Sequence, residues 1–180
     1  ETLLTGNFSE GYVTELHAPA NAWMREVARH LDTGLLLTFD YGFPEGEYYH
    51  AQRLEGTLMA HHRHHAIQDP FYLPGLCDLT THIEWSQIAR SALAENADDV
   101  YLSNQAGYLL DAGIWDIALE IGDPSNPEKF LPISNALQKL LSEAEMGELF
   151  KVFAFSKNLN AVLPGYALED LPGLRGRNRL

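Results

Sequence analysis

Four histidines fall within five positions, His61, His62, His64 and His65, around a central Arg63, with His50 and His82 further out. Histidine-rich tracts can ligate metal. On a strand, His62 and His64 would share one face, and Asp69, Asp78 or His82 could complete a site. The arginine in the middle argues against this, as does the absence of H-E-x-x-H or paired-cysteine spacing. Packing and hydrogen bonding are the plainer use of such histidines, so no metal is assigned, and a metal-dependent hydrolase stays the less favoured reading. A Ser/His/Asp hydrolase lacks its G-x-S-x-G turn. Cys77 lies near His82, but a small buried apolar role suits it better than a nucleophilic one.

A second constellation begins at LLLTFDYG, residues 35–42. A short apolar run closed by a carboxylate and a glycine reads as a buried central strand of an α/β sheet. Ligands in such sheets bind beyond the carboxyl ends of the strands. Asp40 and Tyr41 are therefore placed where chemistry is expected. Asp40 could orient a ligand or cap a turn through the N–H groups that follow. Tyr41, Tyr48, Tyr49, Phe71 and Tyr72 could pack on a cation or form a small core. No G-x-G-x-x-G and no P-loop is present to cradle a phosphate or dinucleotide.

The elements that must position these groups follow from periodicity. Residues 2–16 are turn-rich, with residues 12–14 a short strand. Pro19 opens a helix whose stripe is Ala20, Trp23, Met24, Val27 and Leu31. Thr33-Gly34 stops it and the central strand begins. Residues 43–74 have no period and are rich in aromatic and histidine residues, which marks a functional segment rather than a disordered one; residues 57–60 are a short strand within it. Residues 76–83 read as extended, and Ser86 as the N-cap of a helix carrying Trp85, Ile88, Ala89 and Ala92. A strand at 100–102 follows. Residues 108–121 read as a buried helix interrupted near Gly113. Residues 122–132 read as a proline-rich loop, and Ile133, Leu137, Leu140 and Leu141 as a helical stripe. Ser142 with Glu145 has the spacing of a capping box, and residues 152–155 read as a second buried strand.

The composition bounds the rest. The chain has 180 residues, 46% hydrophobic and 21% charged, enough for one domain with its own core. A net charge of −13 disfavours nucleic acid as a partner. No apolar run is long enough to span a membrane. The lone Cys77 excludes an intrachain disulfide and suits a reducing, cytoplasmic setting. Arg175, Arg177 and Arg179 sit in a glycine-rich tail that reads as peripheral and disordered. The chain opens on Glu1 with no signal-peptide pattern, so it is expected to be processed or part of a longer protein.

The run EYYHAQRLEGTLMAHHRHHAIQDPFYLPGLCDLTTHIEW resembles the signature of the MidA family of S-adenosyl-L-methionine (SAM)-dependent methyltransferases, whose mitochondrial members assist assembly of respiratory complex I. LTFDYG before it, and SNQAGYLLDAGI and SEAEMGELFKVFAFSK after it, match the family in the same order. The resemblance implies an α/β fold: the C-terminal half of a class I, Rossmann-like methyltransferase sheet with spatial order 3-2-1-4-5-7-6. Residues 35–39 would be strand five, 100–102 strand six and 152–155 strand seven. Residues 1–180 would be one domain fragment, with residues 43–84 a substrate-side insert.

The family's SAM loop and ribose-binding acid would lie upstream of Glu1, so cofactor-binding residues are left unassigned. The resemblance implies methyl transfer from SAM, with a protein arginine as acceptor. It also implies a catalytic set of Asp40, His64, Asp78 and His82. A substrate-binding set of Tyr41, Tyr49, Arg63, Asp69 and Thr80 would complete the site. Asp78 could hold a guanidinium bidentately, and His64 or His82 could take its proton. The fragment alone is expected to be inactive and to bind SAM weakly or not at all. Its open sheet edge is expected to pair with another copy or a covering segment. A non-catalytic assembly factor on the same fold is the alternative.

Overall fold

The computed structural model describes residues 8–180. The turn-rich reading of residues 2–16 falls outside them as far as Asn7. At residues 12–14 there is no strand, only a single bridge from Val13 to Glu55. Pro19 in the first turn and Arg29 and His30 in the last bound α1, Ala18–His30. Its buried face is Ala20, Met24, Ala28 and Leu31, while Trp23 is exposed. The expected stripe is thus rotated, because only one side of α1 meets its neighbours.

β1, Gly34–Phe43, runs past Asp40. It is not the buried central strand expected of LLLTF: Leu35 and Phe39 are 38% and 44% exposed. The reason is its edge. One side is paired along Gly34–Tyr41, whereas the other side is paired only at Gly42 and Phe43. Gly42 is required there, since a Cβ would run into the Ile83 carbonyl oxygen.

After α2, Glu45–Tyr48, the segment expected to be irregular has its own sheet. β2 is Met59–His62, β3 is His65–Ile67 and β4 is Asp78–Thr80, in the order β3-β2-β4. Arg63 and His64, both with positive φ (50° and 67°), form the two-residue turn between β2 and β3. β5, Ile83–Glu84, returns to pair in parallel with β1.

α3 is Trp85–Leu93, and its N-cap is Glu84, not Ser86. Both Glu84 oxygens accept from the Gln87 N–H, while Ser86 Oγ accepts from the Glu45 N–H. β6 is Asp99–Asn104. Gly113, with φ of 87°, separates α4, Gln105–Asp111, from α5, Ile114–Ile121. This pair is not buried as expected. In α5 only Ala118 is buried and Trp115, Ile117, Leu119 and Ile121 are exposed, because α5 lies away from the sheet. α6, Pro127–Leu141, begins inside the expected loop, since Pro127 suits a first turn; it also contains Pro132. α7, Met146–Leu149, has no capping box: Ser142 Oγ accepts from the Ala144 N–H instead.

β7, Phe150–Lys157, is the buried strand of the sheet, closed to solvent from Lys151 to Ser156. It pairs antiparallel with β1 on one side and β6 on the other, so the order is β5-β1-β7-β6. The three strands expected to be neighbours are side by side, with β7 between. On one face Phe153 stacks on Trp85 at 5.6 Å, within a core of α1 and α3 side chains. On the other face, Ala154 and Tyr101 pack on Leu168 and Leu174.

Those last two leucines belong to the tail. α8, Leu159–Val162, and a 3-10 turn at Leu168–Asp170 lead into it. The tail is docked rather than disordered. Asp111 accepts from the Gly173 and Arg175 N–H groups. Asn178 accepts from the Leu102 N–H and donates to the Val100 carbonyl, and the Arg179 N–H donates to the Leu102 carbonyl. The tail thereby occupies the free edge of β6.

Phe153→Ala is expected to lower unfolding free energy by roughly 3–5 kcal/mol, measured by denaturant titration. Gly173 has φ of 89° and lies against the Tyr108 ring. Gly173→Ala is expected to release the tail first, seen as faster amide exchange at Leu102 and Arg179.

Candidate functional site

β1 and β6 run parallel, so their carboxyl ends lie at one side of the sheet. Tyr41, Phe43, His82 and Arg53 meet at the β1 end. His82 stacks on Phe43 at 5.2 Å and lies 5.7 Å from Tyr41, which in turn meets Phe150 edge-on. The Arg53 guanidinium sits 4.4 Å from the Phe43 ring centre, and the Lys151 ammonium 5.7 Å away. Burial, and then the positive charge of Arg53, hold the His82 pKa below its ordinary value. An uncharged imidazole at a strand end can accept a proton.

One carboxylate fixes this corner. Glu15 accepts from the Thr57 and Leu58 N–H groups, each at 2.7 Å, and from the Tyr48 hydroxyl at 2.9 Å. Burial pushes the Glu15 pKa up, but these bonds outweigh it and the net shift is downward. Tyr48 is fully buried, and burial raises its pKa. Its hydroxyl also meets His17 Nε2 at 2.8 Å, and burial lowers the His17 pKa. Thr57 Oγ1 accepts from the His82 N–H. The chain before α1, the α2 segment and the strand end are thus tied together.

Beside it is a cavity of about 260 Å3 between the start of α1 and the end of β5, lined by His17, Asn21, Tyr49, Glu84 and Gln87 among others. Glu84 is 3% exposed, and burial raises its pKa. Burial, then the charges of Glu84 and Glu45, push Tyr49 up to about 12. The Asn21 side-chain oxygen Oδ1 is buried without a partner among the described residues. The cavity is lined by the oxygens of Asn21, Tyr49 and Glu84, and the last already faces the Arg90 guanidinium at 3.7 Å.

The expected site residues divide in two. Tyr41 and His82 come together, with Asp40 one residue away on β1, where its side chain accepts from the Tyr41 N–H. Tyr49 lines the adjoining cavity. Arg63, His64, Asp69 and Asp78 lie exposed on the small sheet and its turns, apart from His82. Asp69 accepts from the Phe71 N–H, and Asp78 faces His61 across the β2–β4 pair. Thr80 is half-buried against His61. Among the described residues, no three His, Cys, Asp or Glu side chains converge as a metal site.

Glu15, Phe43, Arg53, Glu84 and Lys151 escaped the sequence reading. Lys151 had a signal, being a cation inside an apolar strand. Arg53 and Glu84 lay within the quoted signature. Glu15 had none.

A SAM cradle does not fit the described residues alone. The strand-to-helix turns are Phe43-Pro44, Glu84-Trp85, Asn104-Gln105 and Lys157-Asn158, and none is glycine-rich. Gly42 cannot open to a ligand because Ile83 and Trp85 fill the space beside it.

Residues 2–102 match the model of a family described as "Putative S-adenosyl-L-methionine-dependent methyltransferase". An uncharacterized COG1565 superfamily protein from Burkholderia thailandensis is 52% identical, with a TM-score of 0.82 over 86% of this chain and 41% of that one. A second superfamily member from Burkholderia thailandensis, solved with bound S-adenosyl-homocysteine, is 50% identical, with a TM-score of 0.80 over 92% and 43%. This chain spans about two fifths of the length of both. No curated protein matches it.

Both His17 and His82 have folded-state pKa values below the ordinary 6.5. The unfolded chain therefore binds more protons in acid. Their contribution is present at neutral pH and is lost as pH falls below the unfolded value toward the folded ones. A denaturant midpoint that declines in this window, less steeply in His82→Gln, is the expected result. Tyr48→Phe is expected to cost about 1–3 kcal/mol by the same measurement, because Glu15 loses a buried donor.

Proposed function

Since the chain belongs to the family described as "Putative S-adenosyl-L-methionine-dependent methyltransferase", we propose that it supplies the acceptor side of a SAM-dependent methyltransferase of MidA type, acting on a protein arginine. The observation that carries this is the strand order. A parallel pair, β1 and β6, has an antiparallel strand between them, and the outer edge of β1 is paired only at Gly42 and Phe43. In this reading they are strands five, six and seven of a seven-stranded sheet. A further parallel strand beside β1 belongs to the longer protein, which is consistent with relatives more than twice this length. SAM supplies the methyl group, and its cradle lies on those other strands. This chain alone therefore binds SAM weakly.

The acceptor would enter beyond the carboxyl end of β1. Tyr41 and Asp40 border the mouth. His82, kept uncharged by burial, takes the proton released from the acceptor nitrogen. Tyr49 and Glu84 offer an electronegative wall to a guanidinium. Arg63, His64, Asp69 and Asp78, exposed on the small sheet and its turns, are assigned to the surface that a protein substrate meets, with half-buried Thr80 beside them.

Full-length protein is expected to bind SAM in calorimetry and to add a methyl group to an arginine-containing protein, read by mass spectrometry. His82→Ala is expected to lower the rate about 10²–10⁴-fold while leaving SAM binding unchanged. Absence of SAM binding would sink the proposal. Binding without transfer to any protein would favour an assembly factor.

A further inference from the structure

A cleft of about 540 Å3 lies at the carboxyl ends of β1 and β6. It is lined by Pro44, Glu47, Ser103, Gly107, Arg177 and Arg179 among others. Two of its walls come from elements with no sequence reason to meet: the start of α2 and the docked tail. The tail brings the arginine cluster here, because Asn178 and Arg179 bond to the edge of β6.

The charges are unusual for a chain of net charge −13. Arg179 is engaged by Glu148, at 2.5 and 3.2 Å, and Arg175 by Asp111. Glu148 also accepts from Asn104 and Lys151. Burial raises the Glu148 pKa, but these donors, Arg179 first, outweigh it and hold the value at about 2. Its negative charge is therefore spent within the fold. Arg177 is exposed and forms no hydrogen bond or ion pair among the described residues. Ser103 is only 5% exposed, yet it lines the cleft, and its hydroxyl has no hydrogen bond among the described residues. A fixed hydroxyl donor and an unpaired guanidinium thus share one cleft at the ligand-binding end of the sheet.

We propose that this cleft binds a glutamate or aspartate side chain of an acidic polypeptide segment, held bidentately by Arg177 with Ser103 donating to it. The cleft is far larger than one small anion needs, so it has room for the flanking peptide. Glu47 also lines the cleft, and its charge disfavours a doubly charged phosphate more than a single carboxylate. The idea rests on the reading of the substrate as a protein, but not on methyl transfer.

The test is fluorescence anisotropy with a labelled peptide of alternating glycine and glutamate, in low salt, using the protein without SAM. Expected are binding that weakens with added NaCl, and roughly tenfold weaker binding for Arg177→Ala. Ser103→Ala is expected to weaken it less. Arg177 is exposed, so an unchanged thermal midpoint verifies that its variant folds. Gly173→Ala, which releases the tail, should lose the same binding. No binding of the peptide, equal binding of its glutamine analogue, or wild-type affinity in Arg177→Ala would each overturn the proposal. So would full displacement by acetate at equal carboxylate concentration, which would mark a small-anion site. Because methyl transfer is not read, failure here leaves the methyltransferase proposal standing, and the reverse.

Discussion

Everything described here is arranged around a strand that must be paired on both sides. Phe150–Lys157 is buried over six consecutive residues, and its backbone groups would be costly without partners. Antiparallel pairing with β1 on one edge and β6 on the other satisfies them. That pairing makes β1 and β6 parallel to each other and sends their carboxyl ends to the same side. The location of the candidate site follows from this one constraint. So does the two-sided core, since alternate residues of β7 face the helices and the tail.

The site is held by hydrogen bonds more than by apolar contact. Glu15 takes bonds from two consecutive N–H groups and from a buried tyrosine. It fastens the small sheet to the chain entering α1, whose face packs on α3. The neutral state of His82 comes from the same enclosure, with Arg53 adding to it. Arg53 and Lys151 stand on the Phe43 ring. Charges of both signs face His82 there, Arg53 and Lys151 against Glu15 and Asp40.

The C-terminal tail is part of the sheet's architecture. It covers one face through Leu168 and Leu174 and one edge through Asn178 and Arg179. An exposed edge on β6 would invite association, and the tail prevents it. The outer edge of β1 is covered only at Gly42 and Phe43 among the described residues. In the proposed longer protein it is the place of another strand.

Local pattern alone determined α1, the strand character of LLLTFDYG and KVFAF, and the break at Gly113. In each case the cause is local: proline and glycine dihedral limits, or apolar runs too short for anything but a strand. The family signature also marked the stretch that holds Tyr49, Arg53, His82 and Glu84. What pattern could not decide was which strand is central. LLLTF and KVFAF read equally buried, and only the pairing partners on each edge separate them. Nor could it show that Glu15 reaches Thr57 or that Arg177 reaches the cleft, because both contacts join segments far apart in the chain. Whether a polar residue caps, pairs or stays free depends on what the fold brings opposite it. Ser86, Arg175 and Arg179 illustrate this, since each kept its chemistry but met a partner that only tertiary packing supplied.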